Sequence, residues 1–283
     1  MADLTDAAIK TYRYLRVAVI VFIVALAASV ALERAHATHL QESISAYYYT
    51  PAHSVLVATL VGLGACLVAL KGCNDTEDLL LNIAGMLAPI VALVPTSEPS
   101  EIYGSKALTI TRARVLIGNN VVALLIAGAA ALAVAYLVER SKRPSTVVHV
   151  RPVDAIGLAS AAGMIVVGGG IYWKQRRFFL DHAHTASAIA MFAIVGIVVV
   201  LNSRRAGVQG KPRYERSYAI AAGVMAAGVL VVVGHLVVDT WKPWNFTLES
   251  VELLGFAGFW IVQTFELWDL GAGAPVPMRA LMP

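Results

Sequence analysis

"VLIGNNVVALLIAGAAALAVAYL", residues 115–137, runs for 23 residues without one charged side chain. The hydrocarbon core of a bilayer is about 30 Å thick, and roughly 20 apolar residues in a helix cross it. The stretch therefore reads as a membrane-spanning helix. It decides the class of the whole chain, because similar runs recur on both sides of it. Reading outward gives eight candidate spans, at 17–32, 54–70, 79–94, 115–137, 153–172, 185–201, 217–238 and 248–268. Of the 283 residues, 58% are hydrophobic and 14% charged, and mean hydropathy is +0.71. That is not the composition of a soluble domain. The expected fold is all-α: a single polytopic transmembrane bundle over 1–283, with short loops. The third run is short and carries Pro89, so a kink or tilt is expected there. Seven spans remain the alternative count.

The opening segment has a basic start, an apolar middle and an Ala-X-Ala-like end, as a signal peptide would. It is read here as the first membrane helix. Cys66 lies in an apolar run and Cys73 in a polar loop, which makes no disulfide framework. The pI near 9.1 calls for no nucleic-acid partner, because the basic residues sit in loops, where they orient helices. With the N-terminus inside, 14 of the 22 Lys and Arg fall on the inner side and 8 on the outer. Both termini are thus expected in the cytoplasm. The main exception is "WKQRRFF" (173–179), which suits an amphipathic segment in the interface. "YYYTP" (47–51), with Trp173, Trp241 and Trp244, is expected to form an outer aromatic belt.

This orientation places His36, His39, His53, His182, His184 and His235 near the outer face, with Asp181, Asp239 and Glu249. His53 and His184 open similar stretches, "AHSVLVATLVGLG" and "AHTASAIAMFAIVG", 131 residues apart. A four-plus-four duplication with both halves in the same orientation would produce that spacing; evenly spaced helices would also produce it. In the last span Glu249, Glu252, Phe256, Phe259, Gln263 and Glu266 follow at intervals of 3 and 4 and share one helical face. Lipid cannot solvate such a stripe, so it should face the bundle interior. His235 and Asp239, at i and i+4, suit a shared metal or an oriented imidazole. His182 and His184, at i and i+2, converge only if the segment is extended. No HExxH or CxxC pair is present.

Four stretches, "SISAYYYTPAH", "KGCNDTEDLLLNIAGMLAPIVALVPT", "HAHTASAIAMF" and "LESVELLGFAGFWIVQ", together about a quarter of the chain, resemble in that order a group of uncharacterised bacterial multi-span membrane proteins. The resemblance implies a multi-span fold in a bacterial inner membrane. It singles out Ser43, Ser45, Tyr47, Tyr48, His184, Ser187 and Glu249, and it supplies no activity. Ala257-Gly258 departs from the group's Phe-Gly, and Thr185 stands where an aromatic follows the histidine. There is also a chemical likeness, without matching spacing, to the ceramidase-like membrane hydrolases, which bind zinc with Ser, Asp and three His. Here Ser45 or Ser54, His53, His184, His235 and Asp239 offer those residue types.

These observations define three expectations. The first is a polar site at the outer-leaflet end that hydrolyses a lipid or other amphiphile. Zinc is its candidate metal, His184, His235, Asp239 and His53 its candidate ligands, and Glu249 or Glu252 its candidate base. The second is a proton-coupled carrier that uses the Glu252–Gln263–Glu266 stripe. The third is an accessory subunit acting through a membrane-protein partner or as a homo-oligomer.

Overall fold

The computed structural model describes residues 2–99, 101–141, 152–238 and 243–269. Among them are eight α-helices and no strand: α1 (Ala2–His36), α2 (His53–Ala69), α3 (Asp75–Leu93), α4 (Ile110–Ser141), α5 (Pro152–Lys174), α6 (Arg176–Val208), α7 (Pro212–Val237) and α8 (Trp244–Glu266). A short 3-10 helix, η1 (Ser45–Tyr49), lies between α1 and α2. Six of these helices, α1 and α3 to α7, are long and apolar enough to cross a membrane. The chain is a multi-pass helical membrane protein. The other two fall short of that length or hydropathy: α2 has 17 residues, and α8 carries three glutamates.

Six helices close into a ring. In order around it, α1 packs on α2, α2 on α3, α3 on α6, α6 on α7, α7 on α8, and α8 back on α1. The α4–α5 hairpin lies outside, with α5 touching α3 and α6. The core inside the ring takes Val19 and Ile23 from α1, Leu63 and Leu67 from α2, Leu81 and Ala84 from α3, Val195 and Val198 from α6, and Phe259 and Trp260 from α8. The opening segment is an integral part of this ring: Arg16 is buried and donates to the Leu267 carbonyl, and Arg13 pairs with Asp269. The four-plus-four repeat is not evident in the packing. α3 lies against α6, and its symmetry counterpart, α7 against α2, is not among the packed pairs.

Local chemistry fixes the helix ends. Asn74 caps α3 by accepting from the Glu77 N–H at 2.9 Å, and Asp75, Glu77 and Asp78 fill a first turn whose free N–H groups favour negative charge. The turn that closes α6 is set by Gly210, whose φ of +67° lets the Lys211 N–H reach back to the Ala206 carbonyl at 2.9 Å. α2 and α3 meet glycine to glycine: a Cβ on Gly85 would lie 2.7 Å from the Gly64 carbonyl oxygen, and one on Gly64 2.7 Å from the Gly85 oxygen. Small residues let membrane helices approach this closely. Gly85→Val should wedge the pair apart and lower unfolding stability in detergent by about 1–3 kcal/mol, whereas Gly163→Val, facing open space, should change it far less.

Two sequence expectations change here. Tyr47, Tyr48 and Tyr49 do not lie in an interfacial belt. They are buried, packed with Leu26, Leu56 and Ala113, and they seat η1 in the end of the bundle. "WKQRRFF" is not one surface-lying segment but the corner between α5 and α6, which only Gln175 separates. Trp173 is exposed, as expected of a belt residue, while Trp241 lies outside the described residues.

Candidate functional site

The α6 helix runs unbroken through "DHAHTAS", so His182 and His184 diverge as helical i, i+2 residues must. His182 is exposed, stacked on Phe178 with its Nδ1 against the Phe178 carbonyl. Asp181 is exposed as well. His184 turns inward and is buried. Its Nδ1 sits 3.1 Å from the Val91 oxygen and 2.9 Å from the Val94 oxygen. Two carbonyls can only accept, so Nδ1 carries the hydrogen. The chain itself leaves the first of these carbonyls free: in a helix the Val91 oxygen would take the N–H of residue 95, which is Pro95 and has none.

The other face of the imidazole meets η1. His184 Nε2 lies 3.0 Å from Ser45 Oγ. Ser45 is also bound to α8: its N–H donates to Glu249 Oε2 at 2.9 Å, and its Oγ lies 3.0 Å from Glu249 Oε1. Ser45 thus stands between an imidazole and a carboxyl group, and the three come from η1, α6 and α8. The Ser45 hydroxyl has one hydrogen and can serve one neighbour at a time. With neutral His184 and ionised Glu249, two lone pairs would compete for it. Two arrangements satisfy every atom. In one, the Glu249 carboxylic acid donates to Ser45 Oγ and the Ser45 hydroxyl donates to His184 Nε2. In the other, imidazolium Nε2–H donates to Ser45 Oγ and the hydroxyl donates to the Glu249 carboxylate. Each holds one exchangeable proton between His184 and Glu249 and has no net charge.

This relay opens on a cavity of about 1080 Å³, lined mainly by apolar residues of α6, α7 and α8, with Leu26, Leu56 and Leu60 behind. Ile189 and Ile197 of α6 and Val229 of α7 line it and are also exposed, so it reaches the lipid-facing surface between those helices. Ser45, Thr96, His184 and Glu249 line its η1 end, Glu252 its wall, and Arg204 its far end. Ligand cavities are usually concave, mostly apolar and carry a few converging polar groups.

His53 and His235 do not join the relay. His53 places Nδ1 2.9 Å from the Tyr48 carbonyl and its ring edge-on to Tyr48. His235 stacks on Trp244 with no hydrogen-bond partner on its buried Nδ1. Asp239 lies outside the described residues. Among the described residues no three His, Cys, Asp or Glu side chains gather as metal ligands. No protein-family model, curated protein or solved structure matches the chain.

The glutamate stripe of α8 is divided. Gln263 and Glu266 belong to a second polar cluster near the α6–α7 turn, and Phe256, Phe259 and Trp260, all buried, separate them from Glu249 and Glu252. There, buried Glu77 accepts from Asn202 at 2.9 Å, Gln263 at 3.1 Å and the Cys73 N–H at 2.8 Å. Glu266 accepts from Arg205 at 2.6 Å, Tyr218 at 2.7 Å and Lys211 at 3.0 Å. Burial, with Glu77 beside it, pushes the Cys73 thiol up to about 12, so it is no thiolate nucleophile at neutral pH. Sequence reading missed Glu77, Asn202, Arg205 and Lys211 as partners, because each looks like an ordinary loop or helix-end residue.

Proposed function

We propose that the protein binds a lipid or other amphiphile in the cavity and hydrolyses its polar group by proton transfer through Ser45, His184 and Glu249. One observation carries the proposal: three polar side chains from distant segments meet within hydrogen-bond distance at the polar end of a large apolar cavity open to lipid. The relay can take a proton from an attacking water and give one to the leaving group as the substrate bond breaks, which is general acid–base catalysis. Among the described residues no metal ligand set supports zinc in this role. Ser45, His184 and Glu249 also fall in three of the four stretches that resemble the uncharacterised bacterial group, so the shared feature of that group would be this site. The resemblance points to a bacterial membrane, read here as the inner one; the apolar runs favour eight spans, and the charge bias of the loops favours cytoplasmic termini and a site in the outer leaflet.

The carrier reading has less support, since the aromatic layer at Phe256, Phe259 and Trp260 interrupts the stripe it would use. To test the proposal, the protein in lipid nanodiscs is given a long-chain nitrophenyl ester. We expect turnover that Ser45→Ala and His184→Ala abolish while both variants still bind a long-chain alcohol. If the wild type binds the alcohol but never hydrolyses the ester, or if both variants turn over normally, the hydrolytic assignment is wrong.

A further inference from the structure

Among the described residues lining the cavity, Glu252 is the one carboxylate that the relay leaves over. It lies a turn beyond Glu249 on the same face of α8, so the two Cβ atoms are about 5–6 Å apart by helical spacing. Glu249 is engaged by Ser45, whereas Glu252 makes no hydrogen bond and no ion pair with any described residue. It rests against α7 where Gly228 makes room: a Cβ there would lie 2.5 Å from Glu252 Oε1. Any larger residue at 228 would move this carboxyl group, so the pocket for it is built from both helices.

The surrounding charges decide what Glu252 can hold. In both arrangements that satisfy every atom, the Glu249–Ser45–His184 unit is neutral overall. Among the described residues lining the cavity, the only lysine or arginine is Arg204. Glu266 pairs with Arg205, the neighbour of Arg204, and Glu252 lies 14 residues before Glu266 in α8, which is about 21 Å along the axis. Arg204 is therefore too far away to neutralise Glu252. A carboxylate beside an apolar cavity is costly without a cation or a proton.

We infer that Glu252 is the binding group for a cationic amine on the amphiphile, set beside the polar group that the relay attacks. The ligand class is an amphiphile with a protonated amino group near its polar end and an apolar tail that follows α6 and α7. An ammonium donates up to three hydrogen bonds and accepts none, which matches an ionised Glu252, a group that only accepts, and leaves the relay free. A phosphate or carboxylate headgroup alone would face an uncompensated acid at this position.

This inference rests on the amphiphile-binding reading, and the test separates the two. Binding of hexadecylamine and hexadecanol to the full chain in neutral-lipid nanodiscs is measured at pH 7 and low salt. The amine should bind at least about tenfold more tightly than the alcohol, the margin of one charge-assisted bond. Glu252→Gln, which keeps the shape, should bring the amine to the affinity of the alcohol and leave the alcohol unchanged. Glu252→Asp should restore part of the preference. Equal wild-type affinity for both probes, or an amine preference that survives Glu252→Gln, overturns the amine assignment while the cavity reading stands. Binding of neither probe overturns both.

Discussion

Glu266→Ala should lower the unfolding free energy by about 3–5 kcal/mol, the cost of breaking a buried ion pair from one side. The Glu266 side chain is fully buried and accepts from Arg205, Lys211 and Tyr218 together. Arg205 is itself 13% exposed at the side chain, so alanine at 266 strands a guanidinium that water barely reaches. The cluster ties α6, the α6–α7 turn, α7 and α8 to one acceptor. Its loss should therefore appear as cooperative unfolding at lower denaturant in detergent micelles, rather than as local fraying. Glu266→Gln keeps an acceptor for Tyr218 and should cost less. Adding Arg205→Met to Glu266→Ala should recover part of the loss, since the stranded charge is then gone. A change under about 1 kcal/mol for Glu266→Ala would mean that water or another anion already serves Arg205.

How far the sequence could be read depends on the length scale of the signal. Helices and their order follow from apolar runs, which is why α4 could be taken directly from 115–137. Membrane helices must satisfy their own backbone groups, so runs of that kind have few other outcomes. The ring is another matter. That α3 packs on α6, and that the α4–α5 hairpin stays outside, depends on contacts far apart in the chain that leave no periodic trace. Within the site, Glu249 was legible as an acid on an inward stripe, and His184 as one of many histidines near the outer boundary. Ser45 came only through a resemblance, because serine before a helix is common. The decisive feature for His184 is a proline: Pro95 removes an N–H and thereby frees the Val91 carbonyl to hold the imidazole. The metal expectation finds no support among the described residues, where His53, His184 and His235, alike in sequence, differ in what surrounds them. Tyr48 takes the first, Trp244 stacks on the last, and Ser45 takes only the middle one.

Glu249→Gln is expected to fold, to bind the amphiphile, and to lose about 10²–10⁴ of the turnover, the usual share of general acid–base catalysis. The reason lies in the hydrogen bonds. The amide reproduces the neutral arrangement of the relay: its oxygen accepts the Ser45 N–H, its NH₂ donates to Ser45 Oγ, and the hydroxyl donates to His184 Nε2. What the amide cannot do is release a proton, so the relay is held in one of its two arrangements. Glu249→Ala differs in kind. It leaves the Ser45 N–H without its acceptor and removes the link between η1 and α8. It should therefore cost about 1–3 kcal/mol and raise amide hydrogen exchange across residues 44–49. Comparing the two variants separates the chemistry of the carboxyl group from its hold on η1. Full turnover in Glu249→Gln would make Glu249 a strut for η1 and leave His184 as the base of the relay.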